Sequence, residues 1–199
     1  MAVRGVAVAH STINRWVLKL APELDQRLRP PLRLTTDSWR VDETDIEVRV
    51  QWQYLYRAVD SAGKTLDFRL SAKRDGKAAA WFFRKVLKAQ HTQAPRVITV
   101  AKNAAYPVAM DKLKAAKTIA AETELRQIKA LNNIIEQDHR NMKRLVKPMM
   151  GFKSFNSARK TLSGIEAMNM IRKGQVKRIS QGDSVSQMKF IEELFGVSA

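Results

Sequence analysis

PRVITVAKNAAYP (residues 95–107) lies at the centre of the pattern from which the fold of this chain can be predicted. Residues 97–100 are strand formers, whereas Asn103 and Pro107 favour turns, so the stretch predicts a short strand that ends abruptly. In α/β folds the residue just after such a strand often faces a ligand or a metal ion. Here that residue is Ala101, whose methyl group can bind neither. The sequence therefore predicts a functional position at the end of this strand, and the residue there has an inert side chain.

The segments around this strand predict an ordered mixture of strands and helices. Before it come three predicted antiparallel strands and one helix: WRVDETDIEV (39–48), QWQYLYRAVD (51–60), TLDFRLSA (65–72) and DGKAAAWFFRKVLKAQ (75–90). After it we predict a helix over 106–117, a short strand over 124–131, and helices over 132–149, 154–180 and 188–197. This order favours an α/β fold with a mixed five-stranded sheet and helices on both faces. Several folds share the order, and the ribonuclease H-like fold is one of them.

Apolar residues at helical spacing mark one side of two predicted helices. In the first, which Ser11 or Thr12 could cap, they are Ile13, Trp16, Val17 and Leu20. In the helix over 75–90, the predicted buried side carries Trp81, Phe82 and Val86. Between the N-terminal helix and the first long strand, RPPLRLTTDS (29–38) contains consecutive prolines and is predicted to be a linker.

Composition excludes several classes of protein. The chain has 199 residues, no cysteine and three histidines, so we exclude disulfides and thiolate zinc sites and do not expect a histidine-rich metal site. It has no apolar run of the roughly 20 residues that a membrane span needs. Its N-terminus is interrupted by charged residues and makes a poor signal peptide. The sequence predicts a cytoplasmic protein without a membrane partner.

The charge of the chain is strongly positive and unevenly distributed. Thirty-six Lys and Arg against nineteen Asp and Glu give a formal net charge of +17. Residues 139–180 hold eleven Lys or Arg and one acid, a net +10 (11 − 1). Such a block favours a polyanion, most often nucleic acid, over the alternative of a basic face without a partner. An anionic membrane is disfavoured because the block lacks an amphipathic face rich in Trp, Phe and Leu.

Two carboxylates have surroundings that are unusual for a surface acid. Asp42 shares a strand face with apolar side chains, which is costly unless the carboxylate is paired or binds a metal. A pair with a nearby Arg or Lys is the alternative explanation. Glu136 lies in an apolar helix start, NNIIEQDHR (132–140), where an ion pair with Arg140 is the alternative. In a ribonuclease H-like sheet the strand of Asp42, the helix of Glu136 and the strand end at Ala101 would converge.

That convergence would suit a pair of metal ions. Two Mg²⁺ or Mn²⁺ ions roughly 3.5–4 Å apart need a bridging carboxylate and further oxygen ligands on each side. A third acid is therefore expected where Ala101 stands.

Six segments together resemble the DDE transposases of small bacterial insertion sequences, most closely the replicative, cointegrate-forming family. They are SWRVDETDI (38–46), YLYRAVDSAGKTLDF (54–68), PRVITVAKNAAYP (95–107), LRQIKALNNIIEQDHR (125–140), RLVKPMMGFKSFNSAR (144–159) and GIEAMNMIRKGQ (164–175). The resemblance covers nearly the whole chain. It implies a ribonuclease H-like core with an Asp-Asp-Glu triad, Mg or Mn as cofactor, transposon ends and target DNA as partners, and a homo-oligomer.

By motif, Asp42 matches the first acid of the triad, Glu136 matches the third, and Ala101 stands where the family has its second Asp. The interval of 34 residues between Ala101 and Glu136 (136 − 101 − 1) agrees with such a DD34E family. The resemblance thus implies catalytic positions at Asp42, Ala101 and Glu136. Asp42 and Glu136 would remain as metal ligands, and the loss of the bridging acid would weaken metal binding.

Candidate DNA contacts come from the basic block and from the resemblance. Lys143, seven residues after Glu136, matches a basic residue that the family places farther along the same helical face. RGVAVAHSTINRWV (4–17) resembles the second half of a helix-turn-helix, so the N-terminus looks truncated. The candidate DNA-binding residues are Asn14, Arg15, Lys19, Lys102, Arg140, Lys143, Arg144 and Lys147.

These expectations combine into one prediction with two alternatives. We predict a partial helix-turn-helix segment over 1–28, a linker over 29–38, a ribonuclease H-like DDE core over 39–180 and a tail helix over 181–199. The predicted function is that of an insertion-sequence transposase, which cleaves and transfers DNA strands by two-metal chemistry and is catalytically defective in this form. One alternative is a non-catalytic DNA-binding module that interferes with or regulates active transposase. The other, an RNA hydrolase of ribonuclease H type, is disfavoured by the motifs.

Overall fold

The computed structural model of the protein describes residues 2, 3 and 6–197, with side chains from residue 7 onward. The chain divides into two compact units. The first comprises Met1–Leu32 and Lys153–Ala199, and the second comprises Arg33–Phe152. The predicted core segment ran from residue 39 to residue 180, whereas residues 29–32 and 153–199 group with the N-terminal helix.

Strands and helices follow the predicted order closely. The strands in the described part of the chain are β1 (Ala2–Val3), β2 (Val6–Ala7), β3 (Ser38–Val48), β4 (Gln51–Asp60), β5 (Thr65–Ser71), β6 (Val97–Val100) and β7 (Glu124–Gln127). The α-helices there are α1 (His10–Leu28), α2 (Gly76–Leu87), α3 (Ala105–Ala115), α4 (Asn133–Val146), α5 (Phe155–Arg172) and α6 (Ser184–Phe195). Short 3₁₀ helices, Lys129–Asn132 and Lys147–Met149, flank α4. Of the helices in these described ranges, none combines the length and the apolar character that crossing a bilayer requires.

The second unit is built on a mixed five-stranded sheet with the strand order β5-β4-β3-β6-β7. Strands β3, β4 and β5 pair antiparallel, whereas β6 pairs parallel with both β3 and β7. The predicted α/β class and mixed sheet are therefore confirmed. The pairing fixes two registers next to Asp42. Asp42 lies opposite Arg57 of β4, and Val41 lies opposite Val100 of β6.

One face of this sheet carries the main hydrophobic core. Trp39 and Val41 of β3 cluster with Phe82 and Phe83 of α2 and with Tyr106 of α3, all five of them fully buried. Successive strand residues point to opposite faces, so Asp42, which follows Val41, faces away from this core. The core face is largely apolar and also carries the buried Glu43.

The prediction that Trp81 is buried was wrong. The buried stripe of α2 runs through residues 79, 82, 83 and 86, and position 81 lies outside that i, i+3, i+4, i+7 pattern. Trp81 is instead 49% exposed, and the guanidinium of Arg69 lies 3.0 Å from its ring centroid. A cation–π contact of this kind explains a large aromatic residue at the surface.

In the first unit, α1 packs against α5 through the C-terminal half of α1. Leu24 and Leu28 cluster with Met170 of α5. Gly164 of α5 sits so close to Ala21 that an added Cβ would lie 2.5 Å from the Ala21 Cβ, which requires glycine there. The packing of α5 on α1 is the reason why residues after 152 join the first unit.

The N-terminal half of α1 differs from its C-terminal half. The helix begins at His10 with Ala9 as N-cap, not at a Ser11 or Thr12 cap, and it continues through Pro22 to Leu28. On the predicted apolar face, Trp16 is 51% exposed and Leu20 is 39% exposed. A helix that buries only one end keeps its shape through that end, since isolated helices of this length are marginal in water.

We predict that Val50→Gly stabilises the protein. Val50 sits at the β3–β4 turn with φ 62° and is 90% exposed. Its β-branched side chain is therefore strained by the left-handed backbone, and it gains no packing in return. Removing the β-branched side chain should raise the unfolding free energy by about 1 kcal/mol, after allowing for the greater entropy of glycine in the unfolded chain. The unfolding midpoint should rise by about 2–4 °C in calorimetry.

The matched control is Val185→Gly, which removes an exposed valine from the first turn of α6. Glycine is unfavourable inside a helix, so this variant should lose stability. An equal change in both variants would contradict a backbone origin for the effect.

Candidate active site

Strand β3 places Asp42 on the face opposite the main core, where α4 covers the sheet. Its side chain is 17% exposed, and its Oδ2 lies 3.6 Å from Nδ1 of His139 on α4. Within the described ranges Asp42 forms no ion pair with Arg or Lys, so the alternative that it is a structural ion-pair partner is wrong. The carboxylate is held in place without a neutralising cation.

This environment disfavours the charged form of Asp42. Burial, followed by the negative charge of Glu43 and, more weakly, that of Glu136, raises the pKa of Asp42 to about 6. Burial and the charge of Arg57 lower the pKa of His139 to about 3, so its imidazole is neutral near pH 7. The effect of Glu136 shows that the structure brings the two predicted acids into the same neighbourhood.

Glu136 is positioned by the way α4 is fixed to the sheet. Arg57 of β4 is fully buried, and its Nη2 donates to Oδ2 of Asp138, two residues after Glu136, at 2.5 Å. Glu136 is half-buried and has no ion pair with Arg140 or any other described residue, so that alternative is wrong as well. Both candidate acids are therefore free to take an external partner.

The strand register places position 101 next to Asp42. Because Val41 and Val100 are paired in parallel strands, the next residues along, Asp42 and Ala101, are neighbours at the end of β6. Ala101 is half-buried, and its carbonyl accepts a hydrogen bond from the backbone N–H of Asn103 at 2.8 Å. An acid at this position would meet Asp42 at the strand end, but alanine presents only a methyl group.

A network around Glu43, on the opposite face of β3, holds the loop that carries Ala101. The Glu43 carboxylate accepts hydrogen bonds from Nε of Arg74 at 2.6 Å, from Nδ2 of Asn103 at 2.7 Å and from the hydroxyl of Tyr106. Asn103 and Tyr106 lie two and five residues after Ala101, so this buried acid ties the segment after β6 to β3. Sequence reasoning missed this role. The signal that could have found it was an acid on the apolar face of the strand, directly after Asp42.

The remaining donors do not fit a two-metal site. No cluster of three or more His, Cys, Asp or Glu that could hold a metal ion occurs among the described residues. Asp42 and Glu136 offer two hard oxygen ligands, which suits one Mg²⁺ or Mn²⁺ with water completing its shell. Asp111 lies exposed on α3, ten residues after Ala101, and does not join these two ligands. The bridging ligand that a metal pair requires is absent from this part of the chain.

A stripe of cations extends from Glu136 along α4. Arg140, Lys143 and Lys147 follow Glu136 at i+4, i+7 and i+11 and so share its helical face, with Arg144 beside them. All four cations are exposed, and none forms an ion pair with a carboxylate in the ranges that the structure covers. Unpaired cations in a row are suited to a polyanionic backbone.

The other predicted DNA contacts are exposed too. Lys102 follows Ala101 directly in the second unit. Asn14, Arg15 and Lys19 lie on the N-terminal half of α1 in the first unit, where Arg15 donates to the hydroxyl of Thr12 at 3.3 Å.

Solved structures with the same arrangement of strands and helices are catalytic cores of retroviral integrases. The core of the HTLV-2 integrase, in complex with magnesium and in a trimeric form, superposes with a TM-score of 0.51 over 71% of this chain and 87% of its own, at 12% identity. The core of the BIV integrase gives a TM-score of 0.51 over 81% of this chain and 99% of its own, at 13% identity. The fold is thus the ribonuclease H-like fold of an integrase-type catalytic core.

Sequence comparison defines the family. A family model described as a DDE domain, that of the IS240-type transposases, matches residues 36–175. The transposase for the insertion sequence-like element IS431mec of Staphylococcus aureus is 39% identical over 170 residues, which cover 85% of this chain and 73% of that protein. The transposase for insertion sequence element IS257 in transposon Tn4003 of Staphylococcus aureus matches equally well. The chain belongs to this family of DDE transposases of insertion sequences.

We predict that Asp42→Asn stabilises the protein at neutral pH in the presence of EDTA. The folded-state pKa of Asp42, about 6, lies above its ordinary value of 3.8, so the folded state binds more protons between these values and loses stability as pH rises through them. Asparagine removes that cost, and the gain should be on the order of 1–3 kcal/mol above pH 7 and should vanish near pH 4. Chemical denaturation at several pH values measures it.

The control is Asp111→Asn, which neutralises an exposed acid on α3. It should give no comparable gain. A destabilised Asp42→Asn variant at pH 7 would show that the carboxylate has a stabilising partner.

Proposed function

We propose that this transposase retains a DNA-binding surface and has lost the two-metal chemistry of DNA strand cleavage and transfer. The observation that carries the proposal is the position of Ala101, beside Asp42 and at the end of β6, with Glu136 brought in by α4. In this proposal the three positions would hold a bridged pair of metal ions, and alanine at position 101 leaves one of them without a ligand.

The chemistry at stake depends on metal positioning. A pair of divalent ions stabilises the attacking and leaving oxygens of an in-line displacement at phosphorus. In this chain Asp42 and Glu136 would hold one ion at reduced affinity. The magnesium in the HTLV-2 integrase core supports Mg²⁺, or Mn²⁺, as the metal in question. Two carboxylates do not provide the bridging ligand of a metal pair, so we expect no strand transfer by this chain.

The cation stripe supports the DNA-binding part of the proposal. Arg140, Lys143, Arg144 and Lys147 are exposed, unpaired with the described carboxylates, and begin one turn after Glu136. DNA that follows them would bring its backbone to the two acids. The trimeric form of the HTLV-2 integrase core supports a homo-oligomer as the DNA-bound form.

A second candidate function is regulatory, and the Glu43 network favours it. The loop after Ala101 is held by Asn103 and Tyr106, so its structure does not depend on the side chain at position 101. A chain that keeps its fold and its cations could occupy transposon ends, or join active copies in mixed oligomers, without cutting DNA. Cytoplasmic location is part of both candidates.

We predict that Ala101→Asp strengthens metal binding and restores DNA nicking. The carboxylate would stand beside Asp42 and offer one oxygen to each of two ions. Each tenfold gain in rate corresponds to about 1.36 kcal/mol of transition-state stabilisation, and well-placed ions supply several such steps. Mn²⁺ binding measured by calorimetry, and nicking and strand transfer measured on DNA that carries the element's ends, should both increase.

Two variants control this experiment. Ala101→Asn matches the size of Asp without its charge and should leave metal binding and nicking close to the level of the unmodified chain. Adding Glu136→Gln to Ala101→Asp should abolish the restored activity. Robust Mg²⁺-dependent strand transfer by the unmodified chain would contradict the proposed defect.

We also predict that replacing Lys143, Arg144 and Lys147 with Ala weakens DNA binding and its salt dependence. Each lost phosphate contact should reduce the slope of log K against log salt by about 0.9, so three contacts reduce it by up to about 2.7. Fluorescence anisotropy with duplex DNA at several salt concentrations measures both quantities.

The matched control replaces Lys77, Arg84 and Lys88 with Ala. These exposed cations lie on or just after α2, which covers the opposite face of the sheet, and their removal changes the net charge equally. If both triple variants lose the same affinity and slope, binding does not follow α4.

A further inference from the structure

Beside Glu136 the surface of the second unit forms an open cleft of about 280 Å³. It is lined by four polar side chains of α4: Asn133, Glu136, Gln137 and Arg140. Their spacing of i, i+3, i+4 and i+7 puts them on one side of the first two turns of the helix. The volume is near the lower end of small-molecule pockets, so the cleft suits one small planar group rather than a folded segment.

The cleft has unused hydrogen-bonding capacity. In the part of the chain that the structure describes, none of the four side chains has a hydrogen bond or an ion pair. Asn133 and Gln137 each offer an amide donor and a carbonyl acceptor, and Arg140 offers a planar fork of donors. Polar groups gathered in one concave place without partners are suited to a polar ligand.

The charge of the cleft identifies the kind of ligand. One carboxylate and one guanidinium give no net charge, and the carboxylate would repel a phosphate. The surplus of positive charge begins farther along α4, at Lys143, Arg144 and Lys147. The cleft therefore suits a neutral group that both donates and accepts hydrogen bonds, whereas the phosphates belong on the cations.

A nucleobase has these properties. Asn and Gln side chains pair with the donor and acceptor edge of adenine, and Arg pairs with the two acceptors of guanine, so the set favours a purine. Leu131, in the 3₁₀ helix just before α4, and Ile134, in the first turn of α4, are 43% and 39% exposed and can offer apolar contact to the face of a base.

We propose that this cleft binds an unpaired purine base next to the phosphate at which the DNA strand is cut. The inference rests on the proposed function, because it takes DNA as the ligand and Glu136 as a residue of the reaction centre. It adds a base-reading role for Asn133 and Gln137, which are neither metal ligands nor phosphate contacts. These two amides would confer sequence preference at the end of the strand, and the cations beyond them would not.

The test uses the unmodified chain and requires no catalysis. The probes are 20-base-pair duplexes with one unpaired 3′ nucleotide that carries dA, dG, dC, dT or no base. Binding is measured by fluorescence anisotropy in EDTA. We expect the purine probes to bind about five- to tenfold more tightly than the abasic probe. Asn133→Ala and Gln137→Ala should each reduce that ratio to about twofold or less.

Lys147→Ala is the matched control, since it lies on the same helical stripe but outside the cleft. It should weaken binding of all five probes by the same factor and preserve the purine ratio. The replaced amides are exposed and without intramolecular partners, so their loss should leave the unfolding midpoint unchanged, and circular dichroism checks this.

The outcomes separate this inference from the proposed function. Equal affinity for all five probes, or a purine preference that survives both amide replacements, overturns the base-reading cleft and leaves DNA binding intact. A preference for pyrimidines overturns the choice of ligand. If the unmodified chain shows no salt-dependent binding to any probe, the proposed function itself fails.

Discussion

The arrangement of the candidate site depends on one buried ion pair, between Arg57 of β4 and Asp138 of α4. Arg57 is fully buried, and a guanidinium in the protein interior must be paired, since leaving it alone costs several kcal/mol. Its pairing with Asp138 determines which turn of α4 lies over β4. Because Asp42 is opposite Arg57 in the β3–β4 register, the same pair brings Glu136 towards Asp42. The position of Glu136 relative to Asp42 thus depends on the Arg57–Asp138 ion pair, to which neither acid belongs.

Two consecutive residues of β3 have different roles on the two faces of the sheet. Asp42 faces α4 and is free for an external ligand, whereas Glu43 faces α3 and is fully engaged with Arg74, Asn103 and Tyr106. This division follows from the alternation of side chains along a strand. It also explains how position 101 can carry alanine in an intact fold. The backbone there is held by Asn103 and Tyr106, so the side chain at 101 is available for chemistry and unnecessary for structure.

The sequence was sufficient for the α/β class and the mixed sheet, because strand alternation and turn residues are local signals. The roles of Asp42, Ala101 and Glu136 rest on motif spacing and stay a prediction. The sequence was insufficient wherever distant contacts decide. The Arg57–Asp138 pair joins residues 81 positions apart, and nothing near Arg57 indicates that it is buried. The exposure of Trp81 depends on Arg69 of a neighbouring strand. The division of the chain at Phe152 depends on the close approach of Gly164 to Ala21, which neither segment reveals alone.

Electrostatics affects the carboxylates near Asp42 and the cations of α4 differently. Burial, and then the negative charges of Glu43 and Glu136, raise the pKa of Asp42, so its ionised carboxylate works against the stability of the metal-free fold. An Asp at position 101 would add a further negative charge to this group, and alanine spares the fold that repulsion. The cations of α4 are exposed and solvated, so their presence costs little. A carboxylate at position 101 would therefore add chemistry at a cost to the metal-free fold, whereas the exposed cations carry no such cost. The proposed defect in strand cleavage would thus leave the DNA-binding surface of α4 unchanged.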